Sequence, residues 1–206
     1  MNARFLILVT LGLAPIPVAA QSVAQDSVVY ELAPSSRFVV RTGKAGLFGF
    51  AGHEHLIQAR QLSGRIVYYP HRPQASHLTV SIATAGLEVL TPPDTAEIRK
   101  VTAAMRAEVL NVVQYPEITL TSQAVELAGD TLRMQAALTM KGQTRTVPLT
   151  VRVRIEPDTL HATTTFSVRQ SDYGIRPYRG GPGGTVRVAD AVTFDIDAIA
   201  LRRPPR

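Results

Sequence analysis

Leu132 to Ile155 reads LRMQAALTMKGQTRTVPLTVRVRI, and its period is two. Leu132, Met134, Ala136, Leu138 and Met140 alternate with polar or small residues. After Gly142 the pattern resumes, with Val147, Leu149, Val151, Val153 and Ile155 set against Pro148, Thr150, Arg152 and Arg154. Successive side chains of a strand point to opposite faces, so this stretch predicts two strands, each with one apolar face, joined by a turn at Gly142. Pro148 has no N–H for a ladder, which puts the start of the second strand at an edge or a bulge.

The same alternation extends in both directions. Downstream, Leu160, Ala162, Thr164, Phe166 and Val168 predict one strand, and Val192, Phe194, Ile196 and Ala198 predict the last. Upstream, Val28 to Ala33, Arg37 to Arg41, His53 to Gln58, Gly64 to Tyr69, His77 to Ala83 and Ile118 to Ser122 read as strands. Short turns join most neighbours, so the sheet is expected to be antiparallel. Gly43 to Gly52, GKAGLFGFAG, reads as a loop or bulged strand at a barrel rim.

The period changes in one place. Asp94 follows Pro92-Pro93, and Glu97 stands three residues on, as in a capping box; Ile98, Val101, Met105 and Val109 then recur at helical spacing. One amphipathic helix is expected over about residues 94–110, its apolar stripe packed against the barrel. The expected class is therefore all-β with one helix, an extended antiparallel β-barrel whose interior is filled by its own side chains or by an apolar ligand.

Residues 1–20 read as a secretory signal peptide. Arg4 precedes the apolar run Phe5 to Leu13, Pro15 and Pro17 break it, and Val18-Ala19-Ala20 supplies small residues before a cut at Gln21. The run is shorter than the ~20 residues that span a bilayer. Residues 21–206 are expected to form a single domain. The chain has no cysteine, and a domain of about 185 residues can bury enough core without disulfides. An exported chain without cysteine points to a bacterial periplasm.

Net charge is +6, one unit of it from Arg4. The arginines are spread through strands (Arg37, Arg41, Arg65, Arg152, Arg154, Arg187) and form no block of the kind that marks a nucleic-acid arm. Solvated strand faces account for them. Contact with an anionic membrane surface or a phosphorylated ligand is the other reading.

The order of YELAPSSRFVV, GLFGFAGHEHLIQARQLSGRIVYYP, the helix, YPEITLTSQAVE, LRMQAALTMKGQTRTVPLTVRV and SDYGI resembles the YceI-like family of periplasmic polyisoprenoid-binding proteins, from Val28 to about Leu201. The most specific pieces are Tyr115-Pro116, LTMKGQTRTVPL and Asp172-Tyr173-Gly174-Ile175. The resemblance implies an eight-stranded, lipocalin-like barrel with a helix packed near it, and a long isoprenoid chain held in the apolar interior. Two features depart from the family pattern: Tyr173 stands where Phe is frequent, and Gly52-His53-Glu54-His55 belongs to only part of the family.

Phe38, Val40, Phe48, Phe50, Ile66, Tyr68, Leu78, Val80, Leu138, Val151, Phe166 and Phe194 are the candidate lining of such an interior. Periodicity alone favours a dry core over a tunnel; the resemblance reverses that preference. His53 and His55, two apart on a strand, share a face and could meet one metal, with His71, His77 or His161 as a third ligand by composition only. Rim histidines bonded to backbone, or a contact to a ligand head group, are the other readings of the pair.

Ser171 lacks the GxSxG setting of a hydrolase elbow, and its segment reads as a turn in which Asp172 caps backbone N–H groups. Gly180 to Gly184 lacks the GK[ST] of a phosphate loop and reads as a hairpin loop. The expected function is thus a non-catalytic, periplasmic carrier of an amphiphilic lipid. No cofactor is required beyond a bound isoprenoid, either a quinone or a polyprenyl chain, and a transient membrane contact or a homodimer through an edge strand is left open. The alternative is a periplasmic metal-binding or stress-response protein that uses His53 and His55.

Overall fold

The computed structural model describes residues 27–45, 54–91, 95–128, 131–180 and 186–204. Along the chain the strands are β1 Val28–Leu32, β2 Arg37–Ala45, β3 His55–Ala59, β4 Leu62–Tyr68, β5 His77–Ala83 and β6 Leu87–Val89. The helix α1, Thr95–Ala104, follows. Then come β7 Glu117–Ala128, β8 Thr131–Met140, β9 Gln143–Ile155, β10 Thr159–Arg169, β11 Arg179–Gly180 and β12 Val186–Arg202.

Eight of these strands close a circuit. The order is β1, β4, β5, β7, β8, β9, β10, β12, every pair antiparallel, and β12 returns to β1 through Leu32↔Ala200 and Tyr30↔Arg202. This is the eight-stranded antiparallel barrel that the resemblance implies, and among the described residues one α-helix accompanies it. β2, β3 and β6 continue from β12 as a flange.

The flange arises because three long strands are each broken at one level. β1 and β2 both pair with β12, β4 and β3 pair with them in turn, and β5 and β6 follow. The break in the first is repaired by a side chain. Ser36 is buried, its hydroxyl donates to the carbonyl of Ile199 at 2.9 Å, and it accepts the Ile199 N–H at 3.1 Å, replacing the missing rungs. At the second break Arg60 N–H bonds the Gly86 carbonyl and Ala83 N–H bonds that of Gln61. At the third, buried Thr84 donates its hydroxyl to the Tyr115 carbonyl and its N–H to that of Pro116, which binds the Tyr-Pro pair to the barrel wall.

Beyond the break β6 no longer has β7 beside it, and α1 lies over that part of the molecule, in contact with β6. The helix expected over about 94–110 is α-helical to Ala104 and continues as a π-turn over Met105–Val109, where Leu110 N–H reaches the carbonyl of Met105. Two cations hold this end: Arg106 donates twice to the Leu87 carbonyl, at 2.9 and 3.2 Å, and Lys141 Nζ donates to the Val109 carbonyl at 2.9 Å. Asn111, with φ of 51°, ends the helix in the left-handed region. The capping residues expected at 92–94 lie outside the described residues.

Lys141 and Gly142, with φ of 48° and 73°, form the two-residue β8–β9 turn between the paired Met140 and Gln143. Two positive φ values match the twist of a tight hairpin. Beyond Thr163↔Arg152 the ladder between β9 and β10 stops, so Pro148 sits on a stretch of β9 that pairs only with β8. The proline therefore marks an edge, as its missing N–H requires.

Candidate functional site

The apolar side chains inside the barrel form two groups. A small one in the closed circuit centres on Tyr30, Leu160 and Ala200, with Ile66 and Tyr68 against it. The larger one runs from the circuit into the flange and includes Phe38, Val80, Leu138, Val151 and Phe194, with Val40, Leu78 and Phe166 packed on it. At its flange end lies an apolar, partly open cavity of about 100 Å³. Phe38, Val40, Ile57, Phe194 and Ile196 form the strand side of the cavity, and Met105, Val109 and Leu110 form the helix side. Thr42 and Gln170 bring the polar atoms of its wall.

Of the twelve candidate lining residues, Phe38, Val40 and Phe194 line this cavity. Val80, Leu138 and Val151 are buried core beside it, and Leu78 and Phe166 pack against that core. Ile66 and Tyr68 belong to the other group. Phe48 and Phe50 lie outside the described residues. Helix residues Met105 and Val109 were legible as an apolar stripe, but their part in a cavity wall depends on where β6 and β7 separate. Ile57 follows the His-Glu-His stretch by two positions, on the face of His55.

Two larger depressions, about 650 and 690 Å³, are open furrows on the outer wall. The first runs between Arg37, Arg41, Arg152, Asp195 and Asp197, and an exposed ion pair between Arg41 and Asp195 at 2.6 Å crosses it. Arg37, Arg41, Arg65, Arg152, Arg154 and Arg187 are all exposed, which fits the reading of solvated strand faces. Among the described residues no helix is long and apolar enough to cross a membrane.

His55 stands at the flange end of β3, directly opposite Thr42 of β2. Its Nδ1 lies 2.7 Å from the Thr91 carbonyl. A carbonyl only accepts, so Nδ1–H is the donor of this bond, which in the uncharged ring leaves Nε2 as an acceptor. Thr91 holds the segment further: its hydroxyl accepts the Leu56 N–H at 2.9 Å and donates to the Glu54 carbonyl at 3.0 Å.

The histidines do not assemble. His53 lies outside the described residues. His161 faces Ile199 across the ladder, whereas Thr42, the partner of His55, faces Val192. Seven residues of β12 separate those levels, about 23 Å at ~3.3 Å per residue. His77 pairs with Val67, which pairs with Val29 near the start of β1, and His71 lies in the turn after β4. Among the described residues no three His, Cys, Asp or Glu side chains form a group that could hold a metal ion.

After β10 the chain forms a 3-10 turn, Gln170–Tyr173, which ends at Gly174 with φ of 65°. The carboxylate expected to cap it was Asp172. The capping carboxylate is instead Asp190 of β12, which accepts the Ser171 N–H at 2.8 Å and the Ser171 hydroxyl at 2.6 Å. Those two bonds hold the Asp190 carboxyl below its ordinary range. Gln170 is tied to the Ala189 carbonyl at 2.8 Å, and Ile175 reaches the cavity. Tyr173 is 1% exposed, and its hydroxyl is the one buried side-chain polar atom among the described residues without a hydrogen-bond partner. Burial pushes this phenol above its ordinary 10.0, Asp172 adds to the rise and Arg145 opposes it. Residues 181–185 lie outside the described residues; on either side Arg179 and Gly180 pair with Arg187 and Val186, as a hairpin requires.

Residues 30–200 match the family described as the YceI-like domain. No curated protein matches the chain. Among solved structures the chain is similar to BcnA of Burkholderia cenocepacia, with TM-score 0.61, 17% identity and coverage of 79% of this chain and 95% of that one. It is also similar to a polyisoprenoid-binding domain from Saccharophagus degradans implicated in plant cell wall breakdown, with TM-score 0.62, 15% identity and coverage of 84% and 98%. The YceI protein of Campylobacter jejuni gives TM-score 0.55 at 14% identity over 72% and 85%. At these identities the likeness is one of fold.

Proposed function

The chain belongs to the YceI-like family, and from that premise we propose that it is an exported, non-catalytic carrier that buries the apolar tail of an isoprenoid or similar amphiphile inside its barrel. The observation that carries this reading is the apolar, partly open cavity between the flange strands and the helix. The Saccharophagus domain of the same fold, described as polyisoprenoid-binding, supports it. Burial of a prenyl tail gains on the order of 25 cal/mol per Å² of apolar area, so affinity requires no polar motif.

The cavity's volume of about 100 Å³ sets a condition. Ligand sites usually hold roughly 300–1,000 Å³. A long chain is therefore accommodated by displacement of the helix side of the wall. Met105 is the most adaptable residue there, and the π-turn that carries it is held to the strands by Arg106 and Lys141. The leader read over residues 1–20 directs the chain to the periplasm in this reading, and its basic surface allows brief contact with an anionic membrane where ligand is collected.

Native mass spectrometry of the protein purified gently from a periplasmic extract, followed by organic extraction, tests the proposal. A retained mass in the range of a quinone or polyprenyl species is expected. A protein that carries no prenyl or fatty chain, and takes none up when offered, overturns it.

A further inference from the structure

Thr42 lines the cavity at its flange end, His55 stands opposite it on the same face beyond the lining, and their hydrogen-bonding states differ. Thr42 is buried and lines the cavity. Its oxygen accepts the backbone N–H of His55 at 3.2 Å, and its own O–H has no acceptor among the described residues. His55 Nδ1–H donates to the Thr91 carbonyl, and Nε2 has no partner among the described residues. One site therefore offers a donor, Thr42 O–H, and the other an acceptor, His55 Nε2.

The two residues are a directly opposed cross-strand pair, so they project from the same face with Cβ atoms about 4.5–5.5 Å apart. That face is the cavity face: Ile57, two residues beyond His55, and Val40, two before Thr42, both line it. The backbone around His55 is fixed on both sides. Thr91 binds Glu54 and Leu56 through its hydroxyl, and Leu90 N–H bonds the Leu56 carbonyl at 2.7 Å. Nδ1 is thus committed to the Thr91 carbonyl before any ligand arrives.

We propose that Thr42 and His55 form the head-group subsite of the carrier, and that the ligand class it selects is a prenyl alcohol or another tail ending in a hydroxyl. This rests on the carrier reading above. A hydroxyl is at once donor and acceptor, so it donates a hydrogen bond to His55 Nε2 and accepts one from Thr42 O–H. A carbonyl or ether oxygen has no proton for Nε2. In an apolar setting the unmatched acceptor loses its water without replacement, which disfavours those heads.

The test is equilibrium binding of geranylgeraniol and of geranylgeranyl methyl ether, which share a tail, to the wild-type protein and to His55→Ala. The wild type is expected to hold the alcohol roughly tenfold more tightly than the ether, the worth of one or two net hydrogen bonds. In His55→Ala most of that preference disappears, through weaker binding of the alcohol and tighter binding of the ether, which no longer leaves an acceptor unmatched. His55→Gln, whose amide oxygen accepts, restores part of it. Equal affinity of the wild type for both probes overturns the subsite and leaves the carrier reading intact, and needs no variant to fold. Equal weakening of both probes in His55→Ala also overturns it, since that is the signature of a structural role. Binding of neither probe, or of any prenyl chain, removes the carrier reading itself.

Discussion

Phe166 and Phe194 face each other across β10 and β12 with ring centroids 4.9 Å apart and planes 4° from parallel. Phe194 also pairs with Val40 on its other side and lines the cavity, so one ring forms both a stack and a wall. Phe194→Ala removes the stack and joins its own volume to the existing space. It is expected to cost about 3–5 kcal/mol, the range for a buried Phe truncation. A lower urea midpoint at unchanged m-value would show this. A cost below ~1 kcal/mol would mean that the ring is not packed as described.

Tyr173 offers a change of opposite sign. Its hydroxyl is buried without a partner, and an unpaired buried hydroxyl costs roughly 1–3 kcal/mol. Tyr173→Phe keeps the ring and is expected to stabilise the protein by about 1 kcal/mol. Because burial raises the phenol's pKa in the folded state, its contribution is intact below the unfolded value of 10.0 and lost as pH rises through the folded one. Tyr173→Phe should therefore unfold less readily above pH 10 than the wild type. Denaturant titrations at neutral and alkaline pH decide it, and a destabilised variant would reveal a partner for the hydroxyl.

Gly142 joins two of the sequence motifs that carry the family resemblance. A Cβ built there would stand 3.0 Å from the Tyr115 ring, and φ is 73°. Gly142→Ala meets both a strained backbone and a crowded ring whose own carbonyl is held by Thr84. A loss of about 1–2 kcal/mol is expected. Thermal unfolding of Gly142→Ala checks it. Gly174→Ala is the control: it shares the positive φ, 65°, but nothing lies within 4 Å of its Cβ. If the two variants lose equal stability, the Tyr115 contact contributes nothing.

Alternation was enough to read the strands of the circuit, because a half-buried strand writes its two faces directly into the chain, as Leu132 to Ile155 does; that eight of them close came from the family resemblance. Pro148 was equally legible, since a missing N–H has one consequence in a sheet. The breaks that make the flange were not. Ser36 replaces ladder bonds to Ile199 across 163 positions of sequence, and nothing local announces such a partner. The same holds for the cap of Ser171, taken by Asp190 rather than by adjacent Asp172. The cavity was only partly legible for the same reason. Phe38, Val40 and Phe194 follow from strand faces, whereas Met105 and Val109 join them only because the helix lies where β6 has left β7. His55 was visible as a residue, but its tautomer depends on the Thr91 carbonyl.

Asp190 sets an acid limit on this end of the barrel. The Ser171 hydroxyl and backbone N–H both donate to its carboxylate and lower its pKa from the ordinary 3.8, with burial acting weakly against them and Arg169 adding to the fall. A depressed folded-state pKa contributes stability that is present above the unfolded value and is lost as pH falls through the folded one. The wild type is therefore expected to lose part of its stability below about pH 4 through this group. Ser171→Ala removes the hydroxyl bond, and Asp190→Asn removes the titrating group. Both should be less stable than the wild type at pH 7, and the difference should shrink toward pH 3. Urea midpoints measured across that range give the answer. A gap that stays constant with pH would show that the carboxylate acts by shape and hydrogen bonding alone.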